Sequence, residues 1–287
     1  LNAFFEKLER AVMANRSRLC IGLDPRMEKL PSSFRYAASP LFAFNKAIIN
    51  ATAPHACAYK PNLAFYIAHG VEGIAALKKT IRYIPQEIPI IADAKWGDIG
   101  STAEVYAITI FDEFKCDAVT LNPLLGEDSI APFLKYSRRG LYFLCLTSNS
   151  GSANFQLPND LYLRIAEKVS LWNRAGNCGL VVGAILPDYV KKIRARVPDI
   201  PFLIPGIGAQ GGELKKIIPA ARDSKRGGFI ISVSRGITEC EEGKNFAENV
   251  RKASREFRDA INREGGSFRS HIRRRGARGN KYPAKGR

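Results

Sequence analysis

The chain has 287 residues, 46% hydrophobic and 25% charged, a size and balance suited to one large globular barrel or two average domains. It contains no run of 18 apolar residues, which excludes a membrane-spanning helix, and the opening Leu1-Asn2-Ala3-Phe4-Phe5-Glu6-Lys7 lacks the layout of a secretory leader. Of the formal charge of +17, the eight Lys and Arg after Gly265 supply +8 with no acid among them, leaving +9 for residues 1–264.

Short apolar runs rich in β-branched residues recur along the chain: Leu19 to Asp24, Ala56 to Lys60, Ile88 to Asp93, Ala118 to Asn122, Leu141 to Thr147, Gly179 to Ala184, Pro201 to Gly206 and Gly228 to Ser234. They are continuous rather than alternating, the pattern of strands buried on both faces. Helical spacing fills the intervals. Ser101 to Lys115 opens on a Ser-Thr-x-Glu capping pattern and sets Val105, Ile108, Phe111 and Phe114 on one stripe. Lys191 to Arg196, Gly212 to Ala221 and Phe246 to Ile261 are further helices. This alternation predicts an α/β fold, a (β/α)8 TIM barrel over residues 1–264, with an open doubly wound sheet as the runner-up. Residues 265–287, basic and Gly-rich without apolar periodicity, read as a disordered tail or linker stub.

Six cysteines without a CxxC pair read as reduced, buried thiols rather than a disulfide framework or zinc site, and His55 near Cys57 reads as structural. No metal site is expected.

In a barrel of this kind the chemistry gathers at the C-terminal ends of the strands. There stand Asp24, Lys60, Asp93 with Lys95 and Asp98, Asn122, Ser148 with Asn149, the Pro205–Gly212 loop and Arg235. Charges crowded like this are costly unless they pair or a ligand uses them. Asp93 and Lys95 share a face at strand spacing, and flanking carboxylates favour an ammonium lysine. Read alone, Asp-x-Lys-x-x-Asp is more often a satisfied ion-pair network. The loop Pro205-Gly206-Ile207-Gly208-Ala209-Gln210-Gly211-Gly212 and then Ser234-Arg235-Gly236 follow the last two strands, where backbone N–H groups and an arginine fork would receive a phosphate.

At these residues the chain resembles the orotidine 5′-phosphate decarboxylase family, particularly its longer, type 2 branch, over roughly residues 2 to 240. The resemblance rests on Gly22-Leu23-Asp24-Pro25, Tyr59-Lys60-Pro61-Asn62, the Asp93 to Thr102 segment with its D-x-K-x-x-D-I-x-x-T pattern, Asn122-Pro123, Thr147-Ser148-Asn149, the Pro205 to Gly212 loop and Arg235. Trp96 and Ser150 depart from that branch, where Arg and Pro are commoner.

The resemblance implies decarboxylation of orotidine 5′-monophosphate (OMP) to UMP without metal, flavin or pyridoxal, in the cytoplasm. It implies Lys95 as proton donor, Asp93 beside the departing carboxylate, and Asp24 and Lys60 at the ribose. Ser148 would read the pyrimidine edge, and Asn122 would belong to the substrate-binding set. Pro205, Gly208, Gln210 and Arg235 would hold the phosphate. Asp98 and Thr102 would reach the neighbouring site of a homodimer. Some relatives carry a fused phosphoribosyltransferase domain. Two rivals stand beside this reading: a Mg²⁺-dependent sugar-phosphate decarboxylase or aldolase of the same superfamily, and a catalytically silent barrel that binds nucleic acid through its basic tail.

Overall fold

The computed structural model of the chain describes residues 2–184, 186–208, 213–222, 228–239 and 245–266. Gln210, Cys240 and the tail from 267 onward lie outside these residues.

Each expected apolar run forms a strand: β1 (Leu19–Leu23), β2 (Ala58–Pro61), β3 (Ile91–Trp96), β4 (Ala118–Leu121), β5 (Gly140–Leu146), β6 (Cys178–Val182), β7 (Phe202–Pro205) and β8 (Phe229–Val233). Neighbours pair in parallel in the order β2-β1-β8-β7-β6-β5-β4-β3. Isolated parallel bridges, Tyr59 to Ile90 and Asn62 to Asp93, join β2 to β3 and bring the two ends of the sheet together. The fold is therefore the eight-stranded barrel, and the open sheet is set aside. Residues of β1, β2, β4, β6 and β8 are buried throughout, as expected of strands covered by helices outside and side chains inside.

A helix that the sequence reading did not place, Ala3–Asn15, closes the N-terminal mouth of the barrel. Asn2 caps it, its side-chain oxygen accepting the Phe4 N–H at 3.0 Å. Phe4 and Phe5 enter the barrel edge-on to Tyr142, each ring centroid 6.0 Å from the tyrosine's. With one end stoppered by aromatic rings, only the C-terminal end is left for polar groups.

The helix expected from Ser101 begins instead at Gly100, after Ile99, and no side chain caps it, so the Ser-Thr-x-Glu pattern is not used as a cap. It runs Gly100–Ile108 and passes into a π-turn, Thr109–Glu113. The expected stripe is split. Val105 and Ile108 are 59% and 47% exposed, while Ala103, Ala107, Ile110, Phe111 and Phe114 make the buried face. Counting at 3.6 residues per turn from Ala103, rather than from Val105, gives the face that packs on the strands. The later helices span Pro187–Arg196, Leu214–Ala221 and Phe246–Gly265.

The five cysteines within the described residues are buried and free. His55 Nδ1 meets Ser254 Oγ at 2.8 Å, a structural contact. Among the described residues, no helix is long and apolar enough to cross a membrane.

Candidate active site

β2, β3 and β4 bring three charged side chains and a hydroxyl onto one point. Lys60 Nζ, at the end of β2, donates to Asp93 Oδ2 at 2.6 Å. Lys95 Nζ bonds the other oxygen, Oδ1, which also accepts the Thr120 hydroxyl at 3.0 Å. Asp93 thus receives hydrogen bonds on both oxygens. Lys60 and Asp93 are each 8% exposed as side chains, whereas Lys95 is 46% exposed and faces the open end.

The electrostatics of the pair follow from that packing. Burial opposes charge on Asp93, but Lys60 and then Lys95 outweigh it and hold the carboxyl well below the usual carboxylate range. Burial likewise opposes the Lys60 ammonium, yet Asp93 and then Asp24 outweigh it and raise its pKa. Both groups are therefore ionised at neutral pH.

Lys95 does not reach Asp93 by simple alternation along a pleated strand, as its spacing suggested. The β3–β4 register passes from Ala92 opposite Val119 to Trp96 opposite Leu121, so β3 carries two more residues than its partner over that stretch. Within this bulge Lys95 adopts φ 54°, in the left-handed region. Its backbone N–H, turned out of the ladder, donates to Thr120 Oγ1 at 3.0 Å. A non-glycine residue held there costs on the order of 1–3 kcal/mol. Thr120 satisfies the displaced N–H and orients the carboxylate at the same time.

Asp24 lies one residue beyond β1, and its Oδ1 is buried without a hydrogen-bond partner among the described residues. Ser234 Oγ, beyond β8, is in the same condition. Both flank Gly22: a Cβ built there would stand 2.6 Å from Ser234 Cβ and 3.3 Å from Asp24 Oδ2. Two buried acceptors with unused capacity on one side of the cluster mark a place prepared for polar ligand groups.

Asn122, Ser148, Pro205, Gly208 and Arg235 follow the ends of the other strands around this centre. Asn122 Oδ1 accepts the Leu124 N–H at 3.1 Å, and its own N–H donates to Trp96 O at 2.8 Å, tying the β4 loop to the bulge. Ser148 follows β5 and packs over the end of β6, where a Cβ on Gly183 would stand 2.8 Å from the Ser148 backbone nitrogen. Pro205 ends β7, and its carbonyl accepts the Ala184 N–H at 2.9 Å. Beyond it Gly206 and Gly208 take φ of 100° and 83°, conformations that suit glycine. Arg235 is exposed and opens a four-residue helical turn, Arg235–Thr238. Gln210 lies outside the described residues.

Asp98 and Thr102 do not join the cluster. The Asp98 carboxylate accepts the neighbouring Ile99 N–H at 2.8 Å, and Thr102 is exposed on the Gly100–Ile108 helix.

Two contributors escaped the sequence reading. Thr120 is a hydroxyl in the run Ala118-Val119-Thr120-Leu121, two residues before Asn122 and so on the same strand face; that parity was the available signal. Gln156 holds the β5 loop, its Oε1 accepting the Thr147 N–H at 2.7 Å and its Nε2 donating to Thr147 Oγ1 at 2.9 Å. No spacing in the sequence points to it. A groove lined by Lys7, Arg10, Asn15, Ala53 and Glu87 involves the stoppering helix and contains none of the site residues.

The family model described as "Orotidine 5'-phosphate decarboxylase / HUMPS family" matches residues 17–250. An orotidine 5′-phosphate decarboxylase of Dehalococcoides mccartyi is 47% identical over 267 residues, covering 90% of this chain and 97% of that protein. The solved OMP decarboxylase of Leishmania donovani superposes with a TM-score of 0.81 at 38% identity, over 92% of this chain and 99% of that one. The Leishmania donovani UMP synthase gives 0.80 at 39% identity over 92% of this chain, which covers 56% of its length.

Proposed function

Since the chain belongs to the orotidine 5′-phosphate decarboxylase family and converts OMP to UMP and CO2 in pyrimidine biosynthesis, we propose that the Lys60–Asp93–Lys95 cluster carries the chemistry without a cofactor. The observation that supports this most directly is the pair of bonds from Lys60 and Lys95 to the two oxygens of one buried carboxylate.

Loss of CO2 from C6 leaves an electron pair in an sp² orbital that the pyrimidine ring cannot delocalise. Stabilisation must then come from fixed charge placed beforehand. Lys95 Nζ is the exposed end of the cluster, so its ammonium lies beside C6. The C6–carboxylate bond breaks, CO2 departs with the pair left on C6, and a proton moves from Nζ to C6. Asp93 stands beside the departing carboxylate. Two such charges about 4 Å apart repel by roughly 4 kcal/mol at an effective dielectric near 20, and losing CO2 removes that repulsion. The charge on Lys95 is the larger contribution, because it acts on the transition state itself.

Around this centre Asp24 and Lys60 take the ribose hydroxyls, and Ser148 reads the pyrimidine edge beside Asn122. The phosphate sits on the turns after β7 and β8, held by Gly208, Gln210 and Arg235, with Pro205 setting the start of the loop. Binding energy from this remote group then serves the reacting centre.

The reading includes a homodimer in which Asp98 and Thr102 complete the partner's site. Its support is a run of exposed apolar side chains beside them: Ile99, Val105, Ile108, Leu124 and Leu125 are 47% to 62% exposed. Patches of this kind on one face mark a protein contact. A cytoplasmic location suits the free cysteines among the described residues. Fusion of such a barrel into a longer chain has a counterpart in the UMP synthase.

The test is to follow loss of OMP absorbance in EDTA and identify UMP by chromatography. Conversion at an undiminished rate is expected. Arrest by EDTA and recovery with Mg²⁺ would overturn the cofactor-free reading.

A further inference from the structure

The glycines of the two phosphate turns share a neighbour from outside the barrel. A Cβ built on Gly208 would stand 3.6 Å from Phe257 Cζ and 4.0 Å from Cε1; one built on Gly236 would stand 3.0 Å from both Cε2 and Cζ. The tip of a single ring therefore sits beneath both turns, one edge under each. Gly208 needs glycine for its backbone, at φ 83°, but Gly236 is not among the residues at positive φ. What a side chain at 236 would press on is the ring, tightly enough that ring or turn must give by a few tenths of an ångström.

The base of the ring is fixed. Phe257 belongs to the helix Phe246–Gly265. That helix is anchored by Phe246, whose ring lies 5.4 Å from Phe34 and 5.5 Å from Phe44, and by the Ser254 contact with His55. Phe257 itself is half-buried against the core.

We infer that Phe257 is a positioning residue for phosphate recognition: its ring sets the spacing between the Gly208 turn and the Arg235-Gly236 turn, so that both meet one phosphate dianion. The inference rests on the reading that these two turns hold the phosphate. An anion gripped from two sides gains from each donor only if their separation is right, and a displacement of about 1 Å is enough to cost on the order of a hundredfold.

The experiment compares OMP with orotidine, the same nucleoside lacking the phosphate, as substrates of Phe257→Ala, Phe257→Leu, Gly236→Ala and Arg235→Ala enzymes. Phe257→Ala should lower kcat/KM for OMP about tenfold or more while changing that for orotidine less than about twofold, and Phe257→Leu should restore much of the loss. Gly236→Ala, with the ring intact, should give a smaller loss that is likewise selective for OMP, relieved when Phe257→Leu is added to it. Equal losses on both substrates would reduce Phe257 to a packing role and overturn the inference. So would unchanged OMP kinetics in Phe257→Ala beside an OMP-selective loss in Arg235→Ala. If Arg235→Ala shows no selectivity, the phosphate reading itself fails, and this inference with it.

Discussion

Lys60 and Asp93, contributed by neighbouring strands, meet at 2.6 Å with only 8% of either side chain exposed. Removing one member of such a pair leaves the other buried and uncompensated, at a cost of roughly 3–5 kcal/mol. Asp93→Asn leaves two lysines facing each other and should lower the unfolding free energy by that order. The pH dependence follows from the two shifts. Asp93 is depressed in the fold, so its contribution is present above the unfolded carboxylate value near 3.9 and is lost as pH falls through the folded value below it. Lys60 is raised, so its contribution is present below about 10.4 and is lost as pH rises through the higher folded value. Urea unfolding of wild type and Asp93→Asn should therefore show the variant less stable at neutral pH, with the gap narrowing below about 4 as Asp93 takes up its proton and narrowing again at alkaline pH, where the unpaired Lys60 of the variant sheds its charge. Equal stability of the two proteins at neutral pH would show that the pair does not hold these strands together.

Lys95→Ala should separate chemistry from binding. Its ammonium is the exposed member of the cluster, so the substitution removes the charge beside C6 without opening the buried Lys60–Asp93 pair. Turnover of OMP should fall by more than about a thousandfold, as when a donor to developing charge is lost. UMP affinity, measured by calorimetry, should stay within about threefold, because the product has no carbanion to stabilise. Near-normal turnover would remove Lys95 as the proton donor.

Thr120 tests whether the bulge is maintained by one hydroxyl. It accepts the Lys95 N–H and donates to Asp93, both at 3.0 Å. Thr120→Val keeps the shape but breaks both bonds, freeing a backbone N–H and loosening the left-handed residue. We expect kcat to drop about ten- to a hundredfold, in line with one or two lost hydrogen bonds at a charged group, while Thr120→Ser retains most activity. A valine enzyme as fast as the serine one would show that Lys95 is held by other means.

The strands were legible because both their faces are buried, which prints each as a continuous apolar run; Cys178–Val182, for instance, is buried at every position. Asp24, Lys60 and Asp93 were legible for a related reason: a charge ending such a run has nowhere to go except the barrel mouth. The bulge was not. Two extra residues in β3 are visible only once β4 is laid beside it, and Asp93 and Lys95 fit ordinary strand spacing equally well. The Gly100–Ile108 helix misled for a different reason. Val105 and Ile108 are apolar yet exposed, so hydrophobicity alone marked the wrong face as core. Apolar side chains left at the surface and those that serve a core look alike in sequence.

That same exposed face gives the last prediction. Thr102, Val105 and Ile108 follow one another at intervals of three along the helix, and Leu124 and Leu125 lie in the loop just before the Glu127–Leu134 helix packed against it. If two copies meet here, Asp98 and Thr102 stand where they can enter the partner's site, and neither is tied into its own cluster. Val105→Glu should then yield monomers by sedimentation, because a charge in the middle of an apolar contact goes unpaired. Activity should fall with the dimer fraction although the Lys60–Asp93–Lys95 cluster is untouched. Complementation makes the shared site explicit. Asp98→Ala and Lys95→Ala enzymes should each be nearly inactive, yet when they are unfolded together and refolded, half the dimers are mixed and carry one intact site. Recovery of about a quarter of wild-type activity is expected for a symmetric two-fold assembly. No recovery from a mixture shown to exchange subunits would mean that Asp98 serves its own chain or none.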